Sequence, residues 1–215
     1  MIERYFVTGA RLKWTYPGAD PGPTKDGSII DSPPRGASSM IYDGLDGELF
    51  DFGLPNVSTL GMSKGMQINY SWLMYVFGHT AKRMLAAGDV LTGFMSGCLI
   101  TQWTENGMRY VGHVGTVESS AEINTRVKSR FAAYMRPDTT GFNPAAAWDP
   151  GEIAPKMMKF KKGATPRIVA LVTTGGEFYS LLMFELREGP GLWCVGGAKR
   201  IPPMNRAALA THLRT

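Results

Sequence analysis

Asn106-Gly107 separates LITQW (99 to 103) from MRYVGHV (108 to 114), and this short junction does more than any other to limit how the chain can fold. An Asn-Gly pair reaches left-handed backbone conformations cheaply, and between two runs of β-formers it closes a two-residue hairpin. The loop length sets the register: Glu105 opposes Met108, Trp103 opposes Tyr110, Ile100 opposes His113, and Cys98 opposes Gly115. Because side chains alternate, Cys98, Ile100, Val111 and His113 fall on one face, with Cys98 diagonal to His113 at a Cα separation of roughly 7–8 Å. One extra loop residue or a bulge would move one of the pair to the opposite face.

The flanking segments predict a mixed structure. Ser119 and Glu122 fit a capping box, and Ile123, Val127, Phe131 and Tyr134 form one stripe before Pro137, so residues 120 to 135 read as an amphipathic helix. RIVALVTT (167 to 174), EFYSLLMFEL (177 to 186) and GLWCVGGAKRI (191 to 201) are divided by glycine turns and read as a three-stranded antiparallel meander. INYSWLMYVFGHTAKRMLAAG (68 to 88), with Ser71 as cap and Gly88 as stop, reads as a mostly buried helix. Residues 15 to 40 and 136 to 165 are dense in turn-forming residues and read as long irregular regions. YDGLDGELFDFGLPN (42 to 56) reads as short strands or turns, and NRAALATHL (205 to 213) as a short closing helix. At 215 residues without repeats, a single domain over 1 to 215 is expected.

Composition narrows the function classes. The net charge of +5 is mild, and its densest segment, MMKFKKGATPR (157 to 167), lacks the interleaved aromatics of a nucleic-acid reader, so a solvated basic loop is expected and nucleic-acid binding is not. Two cysteines cannot build a disulfide framework, and no Cys/His spacing suits zinc. MIERYFVTGARLKW shows neither an apolar h-region nor a cleavage site, and no apolar run approaches the roughly 18 residues of a membrane span. The expectation is therefore no classical signal peptide, with a cytosolic location or another export route. His79 reads as a satisfied helix histidine, Cys194 as a buried strand residue, and the 13 scattered methionines as adaptable packing.

Cys98 and His113 admit two readings. As core residues they are ordinary, since cysteine is among the most buried residue types. As a pair, the imidazole can take the thiol proton and stabilise a thiolate nucleophile. Ser96-Gly97 leaves the backbone free to aim the N–H groups of Gly97 and Cys98 at an oxyanion. A base histidine needs a third group to fix its tautomer. Thr92 can offer its hydroxyl or carbonyl, and Gln102, on the same hairpin face, competes for that role.

Thr92, then Ser96-Gly97-Cys98 entering a strand, then His113 on the next strand, resembles the core of the cysteine glutamine deamidases. That family includes the catalytic domain of cytotoxic necrotizing factor, the Burkholderia lethal factor and the chemoreceptor glutamine deamidases. The stretch that aligns runs from 92 to 131, and Met95 stands where the toxins carry leucine. The resemblance implies an α+β fold with a β-sandwich-like core of mixed sheets flanked by helices and long loops. It implies hydrolysis of a glutamine side-chain amide in a protein substrate, without a cofactor or metal, by a monomer of the secreted toxin or effector type acting in a target cell, or else in the bacterial cytoplasm. Cys98 would be the nucleophile, His113 the general base and acid, and Thr92 the orienter of His113. A papain-like arrangement would need a far more distant histidine, which only His212 supplies. A transglutaminase, another cysteine hydrolase and a non-catalytic protein-binding module stand as the alternatives.

Overall fold

Seven strands close on one another into a barrel in the computed structural model of the chain, which describes residues 2–34, 38–46, 49, 61–86 and 88–214. Numbered in chain order, they are β1 (Ala10–Lys13), β4 (Ser38–Leu45), β5 (Gln67–Trp72), β8 (Val90–Gly93), β12 (Ala164–Val172), β13 (Phe178–Leu186) and β14 (Leu192–Ile201). Around the barrel they run β1-β14-β13-β12-β8-β5-β4, antiparallel throughout except for β5 beside β8. The last three strands are the expected meander. Trp14, Trp72 and Trp193 meet in the main hydrophobic cluster, Trp14 lying 5.9 Å from Trp72 and 4.9 Å from Trp193 between ring centroids, so the strands surround packed aromatic side chains.

A second, five-stranded sheet has β3 (Ile29–Asp31), β7 (Thr80–Met84), β9 (Leu99–Glu105), β10 (Met108–Val114) and β11 (Thr140–Phe142), in the order β11-β9-β10-β7-β3 with β3 parallel to β7. Short strands β2 (Ala19–Asp20) and β6 (Tyr75–Val76) pair separately in parallel. Helix α1 (Ala121–Tyr134) covers one face of this sheet, where Val127 and Phe131 pack with Leu99, Trp103 and Val114. Helices α2 (Pro150–Met157) and α3 (Arg206–His212) complete the chain. The protein is thus α+β with mixed sheets, but in place of an open sandwich the larger sheet closes on itself through β1, which pairs with both β4 and β14.

The hairpin has the register its loop dictates: Glu105 opposes Met108, Trp103 opposes Tyr110 and Ile100 opposes His113. Asn106 and Gly107 both have positive φ, 53° and 75°, as the tight turn requires. The ladder stops at Leu99 and Val114, so Cys98 and Gly115 lie just beyond it, and the expected pairing of those two is not made.

Several expectations need correction. Residues 68 to 88 form β5, β6 and β7 rather than a helix, because burial alternates along β5, with Ile68, Tyr70 and Trp72 inward and Gln67 and Asn69 exposed. Gly78 then turns the chain at φ 73°, where a Cβ would meet Lys25 at 2.7 Å. His79 accordingly lies in the bend just before β7 instead of in a helix. Its Nε2 accepts the Lys25 backbone N–H at 3.0 Å and its Nδ1 lies 3.0 Å from Ser28 Oγ, so it pins the 24 to 28 turn and is satisfied at both nitrogens. The region from 15 to 40 contains β2, β3 and the start of β4, while 136 to 165 contains β11 and α2. The cap of α1 is Ser120, whose hydroxyl accepts the Ile123 N–H, one residue after the expected Ser119. Of the 42 to 56 segment, 47–48 and 50–56 lie outside the described residues.

Gly107 and Gly97 both have open space where a Cβ would stand, and only Gly107 has positive φ. Gly107→Ala should therefore cost about 1–2 kcal/mol in urea unfolding from backbone strain alone, whereas Gly97→Ala should leave stability unchanged.

Candidate active site

The two sheets meet where β8 leaves the barrel and the chain crosses through residues 94 to 98 into β9. Thr92 in β8 and His113 in β10 are fully buried and face each other across this seam, Thr92 Oγ1 lying 2.6 Å from His113 Nδ1. One nitrogen of the imidazole is thereby tied to the barrel. The ring is fixed again by Tyr75 of β6, stacked on it at 4.9 Å with an interplanar angle of 20°. His113 Nε2 is buried and has no hydrogen-bond partner among the described residues, an unusual condition for a buried polar atom.

Cys98 immediately precedes β9. It packs in the barrel-facing cluster with Ile100 and Val111, while Leu99 and Val114 belong to the cluster under α1. Cys98 and His113 therefore share the barrel-facing side of the hairpin. The thiol is buried, but Ser96 and Gly97 just before it are exposed. Its hydrogen bonds go to Thr116, with Sγ 3.4 Å from Thr116 Oγ1 and 3.8 Å from Thr116 O, and not to His113. Gln102 makes no bond to His113 either: its side-chain oxygen is unpaired, and its amide lies against Gly176. Among the described residues, Thr92 is the hydrogen-bond partner of the His113 ring.

Thr116, Tyr75 and Asn124 complete the surroundings and were not visible as site residues in the sequence. Gly115 is pressed so closely on the 76 to 79 backbone that a Cβ would stand 2.3 Å from Val76 O and 2.7 Å from His79 O, which brings Thr116 beside Cys98. The Asn124 side chain in α1 both accepts the Val117 N–H at 2.6 Å and donates to the Val117 carbonyl at 2.8 Å, fixing the far side of the same segment. Tyr75 Oη donates to Thr116 O. The one available sequence signal was the glycine directly before Thr116; Tyr75 was hidden by the helical reading of its segment.

Hollows border this segment. One of about 380 Å³ is lined by Phe94, Met95, Ser96, Glu118, Arg167 and Ile168. Another of about 530 Å³ is lined by Tyr75, Phe77, Ser96, Thr116, Glu118 and Ile123. Ser96 and Glu118 border both, so the exposed loop before Cys98 adjoins one hollow that also holds Phe94 and Arg167 and another that also holds Tyr75, Phe77 and Lys25. Neither hollow, nor one of similar size beside α1 lined by Thr125, Lys128 and Leu213 among others, has cysteine or histidine in its lining; Ser96 and Thr116 are the residues that connect the first two to Cys98. Among the described residues no group of three or more His, Cys, Asp or Glu is placed to hold a metal ion, and no helix is long and apolar enough to cross a membrane.

Burial sets the charge states. Desolvation pushes the His113 imidazole down to about 3, so it is neutral near pH 7. Desolvation also raises the Cys98 thiol, with hydrogen bonding to Thr116 pulling the other way and the Glu118 carboxylate raising it further. Cys194, in the barrel wall, is pushed up to about 12, also by burial. In the free protein the pair is a neutral thiol and a neutral imidazole, not a preformed ion pair. No family model, curated protein or solved structure matches this chain.

Two outcomes follow from this geometry. Thr92→Val removes the partner of a buried nitrogen and should cost about 1–3 kcal/mol in urea unfolding, with Thr92→Ser recovering most of it. The unfolded imidazole titrates near its ordinary value of about 6.5 and the folded one at about 3. The unfolded chain therefore binds the additional proton between those limits. The stabilising contribution is complete above the upper limit and is lost as pH falls through the window. Unfolding measured at about pH 7 and about pH 5 should show a smaller pH-dependent loss in His113→Gln than in the parent chain.

Proposed function

We propose that the chain is a protein-glutamine deamidase in which Cys98 is the nucleophile, His113 the general base and acid, and Thr92 the orienter of His113. The observation that carries this reading is the unpaired, buried Nε2 of a histidine whose other nitrogen is held by Thr92, on the same side of a hairpin as a buried cysteine that directly follows the exposed Ser96-Gly97, with Ser96 at the border of a groove. A buried acceptor without a partner is costly to a fold. It is useful to a catalyst that needs a free lone pair. The resemblance of Thr92, Ser96, Gly97, Cys98 and His113 to the cysteine glutamine deamidases supports the same assignment.

In the proposed reaction Nδ1–H donates to Thr92 Oγ1, and Nε2 accepts the thiol proton as sulfur attacks the glutamine amide carbon. Backbone N–H groups of Gly97 and Cys98 receive the developing oxyanion. Collapse of the tetrahedral intermediate expels ammonia, which takes the proton from Nε2, and leaves a thioester. Water, losing a proton to Nε2, attacks the thioester, and the thiol departs with that proton to give glutamate. The protein's own groups return to their starting states, with no cofactor in the sequence of steps. The substrate would be a glutamine-bearing segment of another protein lying beside Ser96, and the chain would act as a monomeric secreted effector in a target cell.

One observation favours a second reading. The thiol is bonded to Thr116 and not to His113, as in a non-catalytic protein-binding module whose cysteine only packs. Incubation of the protein with lysates of candidate target cells, followed by mass spectrometry, separates the two. Deamidation predicts glutamine-to-glutamate conversion in a target, abolished by Cys98→Ser and by His113→Ala. Conversion that persists in Cys98→Ser, or its absence with every lysate, would contradict the proposal, and amine incorporation at the same glutamine would instead indicate a transglutaminase. Gly97→Ala, which meets no steric obstacle, should lower conversion by crowding the approaching amide.

A further inference from the structure

The free protein bonds its candidate nucleophile to Thr116 and leaves its candidate base unpaired, and the groups responsible can be named. Thr116 offers the thiol two partners, its hydroxyl at 3.4 Å and its carbonyl at 3.8 Å. That carbonyl also accepts the Tyr75 hydroxyl, and the Tyr75 ring lies on the His113 imidazole. One side chain thus touches the base by its ring and the thiol's partner by its hydroxyl.

The backbone on either side of Thr116 is fixed. Gly115 has no room to move toward Val76 O, its N–H donates to His79 O at 2.8 Å, and Asn124 clamps Val117 from both sides. What remains adjustable is the Thr116 side chain and the Cys98 χ1 angle. Tyr75 and Thr116 also line the same hollow of about 530 Å³, with Ser96 at its border. Anything occupying that hollow contacts both groups.

We propose that Tyr75 and Thr116 are positioning residues that keep the Cys98 thiol on Thr116 in the free protein and release it to His113 Nε2 when a protein segment enters the hollow they line. The proposal rests on the deamidase reading of Cys98 and His113 and adds the control of that pair. On release the thiol gives up its Thr116 contacts, its proton passes to Nε2 as sulfur bonds to the substrate carbon, and no other group changes protonation. Such an arrangement suppresses reaction with small thiol reagents and with free amides that do not fill the hollow, and so restricts the substrate to glutamine within a polypeptide.

The test is the rate of Cys98 alkylation by iodoacetamide as a function of pH, read by peptide mass spectrometry with Cys194 as internal reference. Thr116→Val and Tyr75→Phe each remove one hydroxyl while keeping shape. Each should raise the Cys98 rate at neutral pH by about two- to tenfold, the range set by losing one ordinary hydrogen bond, without lowering the pH midpoint, since the Thr116 bonds themselves favour the thiolate. Thr116→Ser should return the rate to the parent value. Addition of His113→Gln should cancel the gain. Unchanged or slower alkylation in both hydroxyl variants, with His113→Gln still slowing the parent protein, would overturn the positioning role and leave the catalytic pair standing. Equal rates at Cys98 and Cys194 that ignore His113→Gln would instead remove the deamidase reading itself.

Discussion

The contact between Thr92 Oγ1 and His113 Nδ1 joins the two halves of the molecule. Thr92 belongs to the barrel, held between β12 and β5, and His113 to the five-stranded sheet. The bond therefore stabilises the seam and fixes the imidazole with a single interaction. Inside a fully apolar surrounding such a bond is worth more than its modest net value in water, because either partner alone would be an unsatisfied buried group. The loop carrying Ser96, Gly97 and Cys98 is the covalent link across the same seam. Its path is set by Met95 N–H donating to Ile168 O at 2.9 Å and by the Tyr16 hydroxyl donating to Gly93 O at 2.7 Å.

The electrostatic consequence of building a site in this seam is a neutral resting pair. Burial lowers the imidazole and raises the thiol, so proton transfer before substrate binding is unfavourable. On the proposed deamidase reading, the pair would gain reactivity only as the substrate is attacked, when charge develops on groups already aimed at it. The exposed Glu118 carboxylate strengthens the bias toward the neutral thiol and stands at the border of both hollows.

The parts legible in sequence are those with local causes. The hairpin follows from Asn106-Gly107, α1 from a cap and a stripe, and the meander from glycine turns between β-rich runs. The shared face of Cys98 and His113 follows from the hairpin register. The barrel closure is not local: β1 is four residues long and joins strands roughly thirty and a hundred and eighty positions away, as in Leu12 opposite Tyr42 and Trp193. The helical reading of 68 to 88 follows a continuous apolar run and overlooks the alternation in QINYSW, where Ile68, Tyr70 and Trp72 point inward. That single misreading conceals Tyr75. Thr116 is concealed differently, since its place beside Cys98 depends on the lack of space at Gly115 and on Asn124, in the first turn of the next element.

Nitrogen-15 NMR of the imidazole of His113 tests the central claim most directly, since it reads tautomer and charge at one ring. A neutral ring with the proton on Nδ1, bonded to Thr92, and a lone pair on Nε2 is expected from neutral pH down to about pH 4, with no titration near its ordinary value. A ring that protonates near pH 6.5, or that carries its proton on Nε2, would contradict the account.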